Sequence, residues 1–126
     1  MMNWKEMEIF KGIDLNDTFV LSWNSAGNEL NFALEASIWP ESEFYEKPKK
    51  EEYTCYKPAR LRFKNIKNIH GLLSMDEAVP STDASGEKDY GNIESLVKTD
   101  DGFSLEGDFG SVTISCGEMS FEIKET

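Results

Sequence analysis

Two carboxylates, Glu106 and Asp108, stand two positions apart in Leu105-Glu106-Gly107-Asp108-Phe109-Gly110. On one strand face that spacing sets an acid beside a base, a separation suited to glycoside chemistry, although adjacent carboxylates on a strand more often only keep it solvated. His70 is the sole histidine. Nucleophilic or metal chemistry needs partners for an imidazole, and Ile66-Lys67-Asn68-Ile69-His70-Gly71-Leu72 supplies none. Asp83, Ser85, Glu87 and Asp89 offer oxygen ligands at every second position, as calcium loops do. The glycine falls at the fourth place, Gly86, where a calcium hand needs it at the sixth. Cys55 and Cys116 form no CxxC pair, and Lys57 is the one nearby cation that favours a reactive thiol at Cys55. Arg60, Arg62 and Lys64 alternate with Leu61 and Phe63, which lines up three cations on one strand face. Such a row captures a carboxylate or phosphate, or is balanced by glutamates on adjacent strands. None of these sets amounts to a catalytic motif, so the expectation is a non-enzyme without cofactor or metal.

The elements that carry these residues read as strands. Apolar and polar residues alternate through Phe103-Ser104-Leu105-Glu106 and Val112-Thr113-Ile114-Ser115, around an Asp101-Gly102 turn and a reversal between Gly107 and Gly110. Asp17 to Trp23 is a strand with either Phe19, Leu21 and Trp23 or Thr18, Val20 and Ser22 on its inner face. Turn residues Asn24 to Asn28 lead into Leu30, Phe32, Leu34, Ala36 and Ile38 at every second position. Tyr53 to Tyr56 and Ala59 to Lys64 are strands interrupted at Pro58, and Ile66 to Leu72 is a short one. Residues 40–50 read as a loop whose aromatics Trp39, Phe44 and Tyr45 either fold back to close one end of the core or form an exposed patch. Ser74 to Gly91 reads as a long acidic crossover loop, and Asn3 to Gly12 as a short helix with Trp4, Met7 and Phe10 on one side. The expected fold is all-β, a single antiparallel sandwich or partly open barrel of about eight strands spanning residues 1–126 as one domain.

The chain is acidic, with 13 basic and 24 acidic side chains and a net charge of −11. Nucleic acids and anionic membranes demand a positive field, so neither is an expected partner. Residues 1–45 carry −6, residues 46–67 carry +5 and residues 68–126 carry −10. That pattern is either a basic strand offset by acidic neighbours or a dipolar surface with an acidic face for a basic protein. The polar start and the lack of any long apolar run predict a cytoplasmic chain whose cysteines stay reduced.

Five segments together, Asp17 to Trp23, Leu34 to Pro40, Tyr53 to Tyr56, Asp89 to Leu96 and Leu105 to Gly110, resemble a family of small, uncharacterised bacterial all-β proteins. The opening hairpin and the length are more loosely similar to the β-rich immunity proteins of bacterial toxin systems, without the motif that joins a tryptophan to His-Asp in some of them. The resemblance carries no catalytic residues over. It implies an acidic, immunity-like inhibitor of a basic toxin or enzyme. The carboxylates expected to meet the partner are Asp83, Glu87, Asp89, Glu106 and Asp108. The alternative is a small-molecule binder or hydrolase with a cleft at one end of the sheet, lined by Trp23, Trp39, Tyr45, Arg60, Arg62 and Tyr90. A third reading is a protomer that assembles with its own copies through exposed strand edges.

Overall fold

Apolar residues at every second position become the inner face of one curled antiparallel sheet. The structure, a computed structural model, describes residues 1–50, 52–82, 86 and 88–124. Its strands are β1 (Met2–Asn3), β2 (Ile13–Ala26), β3 (Glu29–Ile38), β4 (Cys55–Leu72), β5 (Ser81–Thr82), β6 (Lys88–Asp89), β7 (Ile93–Lys98), β8 (Gly102–Gly107) and β9 (Gly110–Ile123). Seven form a sheet in the order β1-β7-β8-β9-β4-β3-β2, and β5 pairs with β6 in a separate hairpin. The segment read as a crossover loop therefore contains a small element of its own, and no helix among the described residues is long and apolar enough to cross a membrane.

The sheet curls until β2 meets the chain entering β7, but it does not close into a barrel. Val20 N donates to Gly91 O at 2.9 Å and Tyr90 N to Val20 O at 2.8 Å. The amides of Asn16 and Asn92 extend that seam, donating to Ile93 O at 3.0 Å and to Thr18 O at 3.0 Å. Curvature comes from paired irregularities in the two long neighbours, β4 and β9. Asn65 (φ 57), Cys116 (φ 65) and Gly117 (φ 102) adopt left-handed backbone where the β4–β9 register shifts, so both strands turn a corner together. Pro58 does not interrupt β4, contrary to the sequence expectation. Its carbonyl accepts from Lys124 N on the β9 side, so its missing N–H faces the point where that ladder ends and costs no bond to β3.

The inner faces meet in one core. Leu30, Phe32 and Leu34 of β3, Leu61 and Phe63 of β4, and Leu105, Val112 and Ile114 of β8 and β9 are all buried, each large side chain contributing about 1.5–3 kcal/mol. Within residues 17–23 of β2 the buried residues are Thr18, Val20 and Trp23 while Leu21 is exposed. Neither strict alternation holds there, because a bulge between Val20 and Ser22 shifts the phase by one residue. The N-terminal segment is two 3-10 turns, Trp4–Glu6 and Glu8–Phe10, in place of the expected helix. The three residues expected on one side of it, Trp4, Met7 and Phe10, are buried and plug one end of the sheet.

Candidate functional site

An irregularity in β2 between Asp14 and Phe19 carries Asp17 and Thr18 over Ser37 of β3. Thr18 Oγ1 donates to Asp14 O at 2.7 Å and accepts from Ser37 N at 3.1 Å, which satisfies two fully buried residues. Ser37 Oγ donates to Asp17 Oδ2 at 3.0 Å and Tyr53 Oη to Asp17 Oδ1 at 3.0 Å. Tyr56 Oη lies 3.0 Å from Asp17 Oδ2 and 2.8 Å from Tyr53 Oη, so its single proton serves one acceptor at a time. Burial, then the hydrogen bonds with Tyr53 and Asp17, then their charges hold the Tyr56 phenol well above its ordinary pKa of 10.0. A phenol that resists ionisation is a donor, not a base, and this network fastens β2, β3 and the start of β4 to one another.

Because the folded pKa is raised, the phenol's contribution to stability is fully present below pH 10.0 and is lost as pH rises above it. In an ultraviolet titration the Tyr56 phenol should ionise only well above pH 10.0, and Tyr56→Phe should remove that late step. A curve unchanged by the substitution contradicts the network.

The cleft expected from sequence assembles only in part. Trp23, Arg60 and Arg62 line a hollow of 410 Å³ on the outside of β2–β4, together with Asn24, Glu29 and Asn31. Arg62 is already engaged, with Nε 2.9 Å from Asn31 Oδ1 and 3.7 Å from Glu29 Oε1. Arg60 sits across from Glu122 of β9 in the ladder. The other three expected residues stand apart from that hollow. Tyr90 packs edge-on against Trp23 with ring centroids 5.1 Å apart, and Trp23 Nε1 donates to Leu73 O, so both rings serve as packing. Trp39 is half exposed and borders a different hollow with Trp4 and Asn16, whereas Phe44 and Tyr45 fold back on the core.

Of the carboxylates expected to meet a partner, two of the three described, Asp89 and Asp108, lie together at Gly91. Asp83 and Glu87 lie outside the described residues. Asp89 accepts from Gly91 N at 2.9 Å, and the Asp108 carboxylate lies against Gly91. Glu106, exposed on β8, lies 3.3 Å from Ser111 Oγ. Asp108 is not on the strand with Glu106 but in the two-residue reversal that follows, so the pair does not share a strand face. His70 is exposed on β4 opposite Thr113, and no group of three or more potential metal ligands occurs among the described residues.

Another groove lies elsewhere, at the plugged end. It measures 600 Å³ and runs between residues 8–13, residues 41–44 and the end of β9. Its floor is apolar, from Ile9, Ile13, Phe44, Phe121 and Ile123, and its rim carries Glu8, Glu41, Glu43 and Glu122 against Lys11 alone. All five charged side chains are exposed. The walls are held by a close approach of Gly12 to Ser42, where any Cβ would collide with the Ser42 backbone, and by Trp39 N donating to Gly12 O at 2.8 Å. Sequence reasoning missed all four glutamates. The one available signal was Glu41-Ser42-Glu43-Phe44, acids interleaved with an aromatic expected to fold back, because only the topology brings residues 8–13 and 121–123 to it. No protein-family model, curated protein or solved structure matches the chain.

Proposed function

We propose that this protein is a binding domain for a basic protein, which it meets through the glutamate-rimmed groove. The observation that carries the reading is that groove, with four exposed carboxylates and one ammonium around an apolar floor on a chain of net charge −11. An apolar floor supplies contact energy while a predominantly acidic rim steers a cationic partner and rejects anionic ones. The form we favour is an immunity-like inhibitor that covers a cationic toxin or enzyme in the cytoplasm, where the free thiols Cys55 and Cys116 stay reduced.

A peptide alternating lysine and valine, titrated into isotope-labelled protein, should shift amide resonances of residues 8–13, 41–44 and 119–123, and its glutamate–valine counterpart should not. Reversing Glu41 and Glu43 to lysine should weaken the cationic peptide by about ten-fold, and added salt should weaken it in the wild type. Equal binding of both peptides, or shifts centred on Asp89 and Asp108, overturns this reading.

A further inference from the structure

Beyond Ser115, β9 has a strand on one side only. The β8 ladder ends at Gly102 opposite Ser115, Cys116 N still donates to Asp101 O, and from Gly117 onward the sole partner is β4. Lys124 N donates to Pro58 O, and residues two apart in a strand aim their backbone groups the same way. Glu118, Ser120 and Glu122 therefore bond to β4, while the N–H and C=O of Met119, Phe121 and Ile123 point outward. No strand among the described residues takes them up.

Proteins blunt such edges with charged side chains, lysine above all, or with proline, a bulge, short length or a covering segment. Each other rim of the sheet shows one of these devices. β1 is two residues long, and the middle of the β2 edge, at Thr18–Val20, is covered by residues 90–92. The stretch of β4 after Ile66, unpaired on its β3 side, carries Lys67 and borders none of the hollows described above. The β9 end has neither proline nor lysine before Lys124, its charges are Glu118 and Glu122, which repel an acidic strand but not a basic one, and Phe121, Glu122 and Ile123 form one wall of the 600 Å³ groove. A strand needs about 4.8 Å of lateral room, and the groove lies along this edge.

We infer that the partner docks by strand addition, an extended segment of the basic protein pairing with Met119, Phe121 and Ile123 as the next strand of the sheet. This rests on the binding reading above and specifies its mode. Side chains of an added strand fall alternately on the two faces of the sheet. Those on the inner face lie beside Met119, Phe121 and Ile123, whose neighbours across β4 are the buried Phe63, Leu61 and Ala59. Those on the outer face lie beside Glu118 and Glu122. The recognised segment thus alternates apolar residues with lysine or arginine. A second copy of this chain is a poor occupant, since its own β9 would set Glu118 and Glu122 against the same two carboxylates.

The test uses the lysine–valine peptide and two versions of it, N-methylated either on every valine or on every lysine. An antiparallel addition places the valine amides against β9, so methylation there should cost about ten-fold or more in affinity while lysine-amide methylation leaves it nearly unchanged. The opposite asymmetry also supports strand addition, in parallel orientation. Equal affinity of the two methylated peptides overturns strand addition and leaves groove docking standing. Absence of binding by the parent peptide overturns both. Met119→Pro removes one outward N–H without taking a bond from β4, and should weaken the parent peptide as valine methylation does, with circular dichroism confirming the fold. If that variant does not fold, the methylated pair still decides. Dimerisation of the free protein that Met119→Pro abolishes would assign the edge to a second copy and overturn the inference.

Discussion

Truncating Phe109 to alanine should lower the unfolding free energy by about 3–5 kcal/mol, which at this size is a melting point lower by roughly 12–20 °C. The side chain is fully buried although it belongs to the two-residue reversal between β8 and β9. Its ring stands 5.0 Å from Phe32 of β3 and 6.1 Å from Trp23 of β2, so one residue of a turn ties three parts of the curled sheet together. The ring also rests on bare backbone at Gly107, where an added Cβ would come within 2.5 Å of Phe109 Cε2. A cavity here cannot collapse easily, because the groups around it are strand backbones and two large rings. The neighbouring Asp108→Ala, exposed in the same turn, should stay within about 0.5 kcal/mol of wild type. Urea midpoints of the two variants decide the matter, and a loss below about 1 kcal/mol for Phe109→Ala would refute this packing.

The all-β framework was legible where the hydrophobic pattern has one phase from end to end. In β3 the residues Leu30, Phe32, Leu34, Ala36 and Ile38 alternate without interruption, and all five are buried. The pattern misled where the phase slips. The β2 bulge puts Thr18, Val20 and Trp23 on one side, a combination no two-residue rhythm allows, and nothing local in Val20-Leu21-Ser22 announces it. Pro58 misled for a different reason. A proline is excluded from a strand only if its nitrogen faces a partner, and which way it faces depends on where β9 ends, some sixty residues later.

The candidate site was less legible than the fold because its parts are brought together by topology. Asp17, Ser37, Tyr53 and Tyr56 are ordinary residues in three separate segments, and their network exists only once β2, β3 and the approach to β4 lie side by side. The same holds for Glu8, Glu41 and Glu122 of the groove. Net charge pointed to a cationic partner but carried no information on which face would meet it. The carboxylates that stood out in the sequence did so by short spacing in acidic stretches, whereas the rim of the groove gathers acids from three distant stretches.

Gly71→Ala should cost about 2–4 kcal/mol, more than any glycine substitution in an open turn. Gly71 adopts φ 88 near the end of β4, and a Cβ there would collide with the Ser111 backbone oxygen. On the facing strand Gly110 has φ 120, and its Cβ would in turn collide with Gly71 O, so two backbones meet where the register shifts between His70 and Leu72. Neither strand can retreat, because Leu73 N donates to Phe109 O at 2.8 Å and Phe109 is anchored in the core. Gly27, in the β2–β3 turn at φ 61, meets nothing within 4 Å and isolates the conformational part of the cost. Gly27→Ala should lose about 1 kcal/mol, and Gly27→Asn less, since asparagine tolerates that backbone. The excess of Gly71→Ala over Gly27→Ala then measures the collision alone. Equal melting points for the two alanine variants would mean that the β4–β9 approach is looser than described.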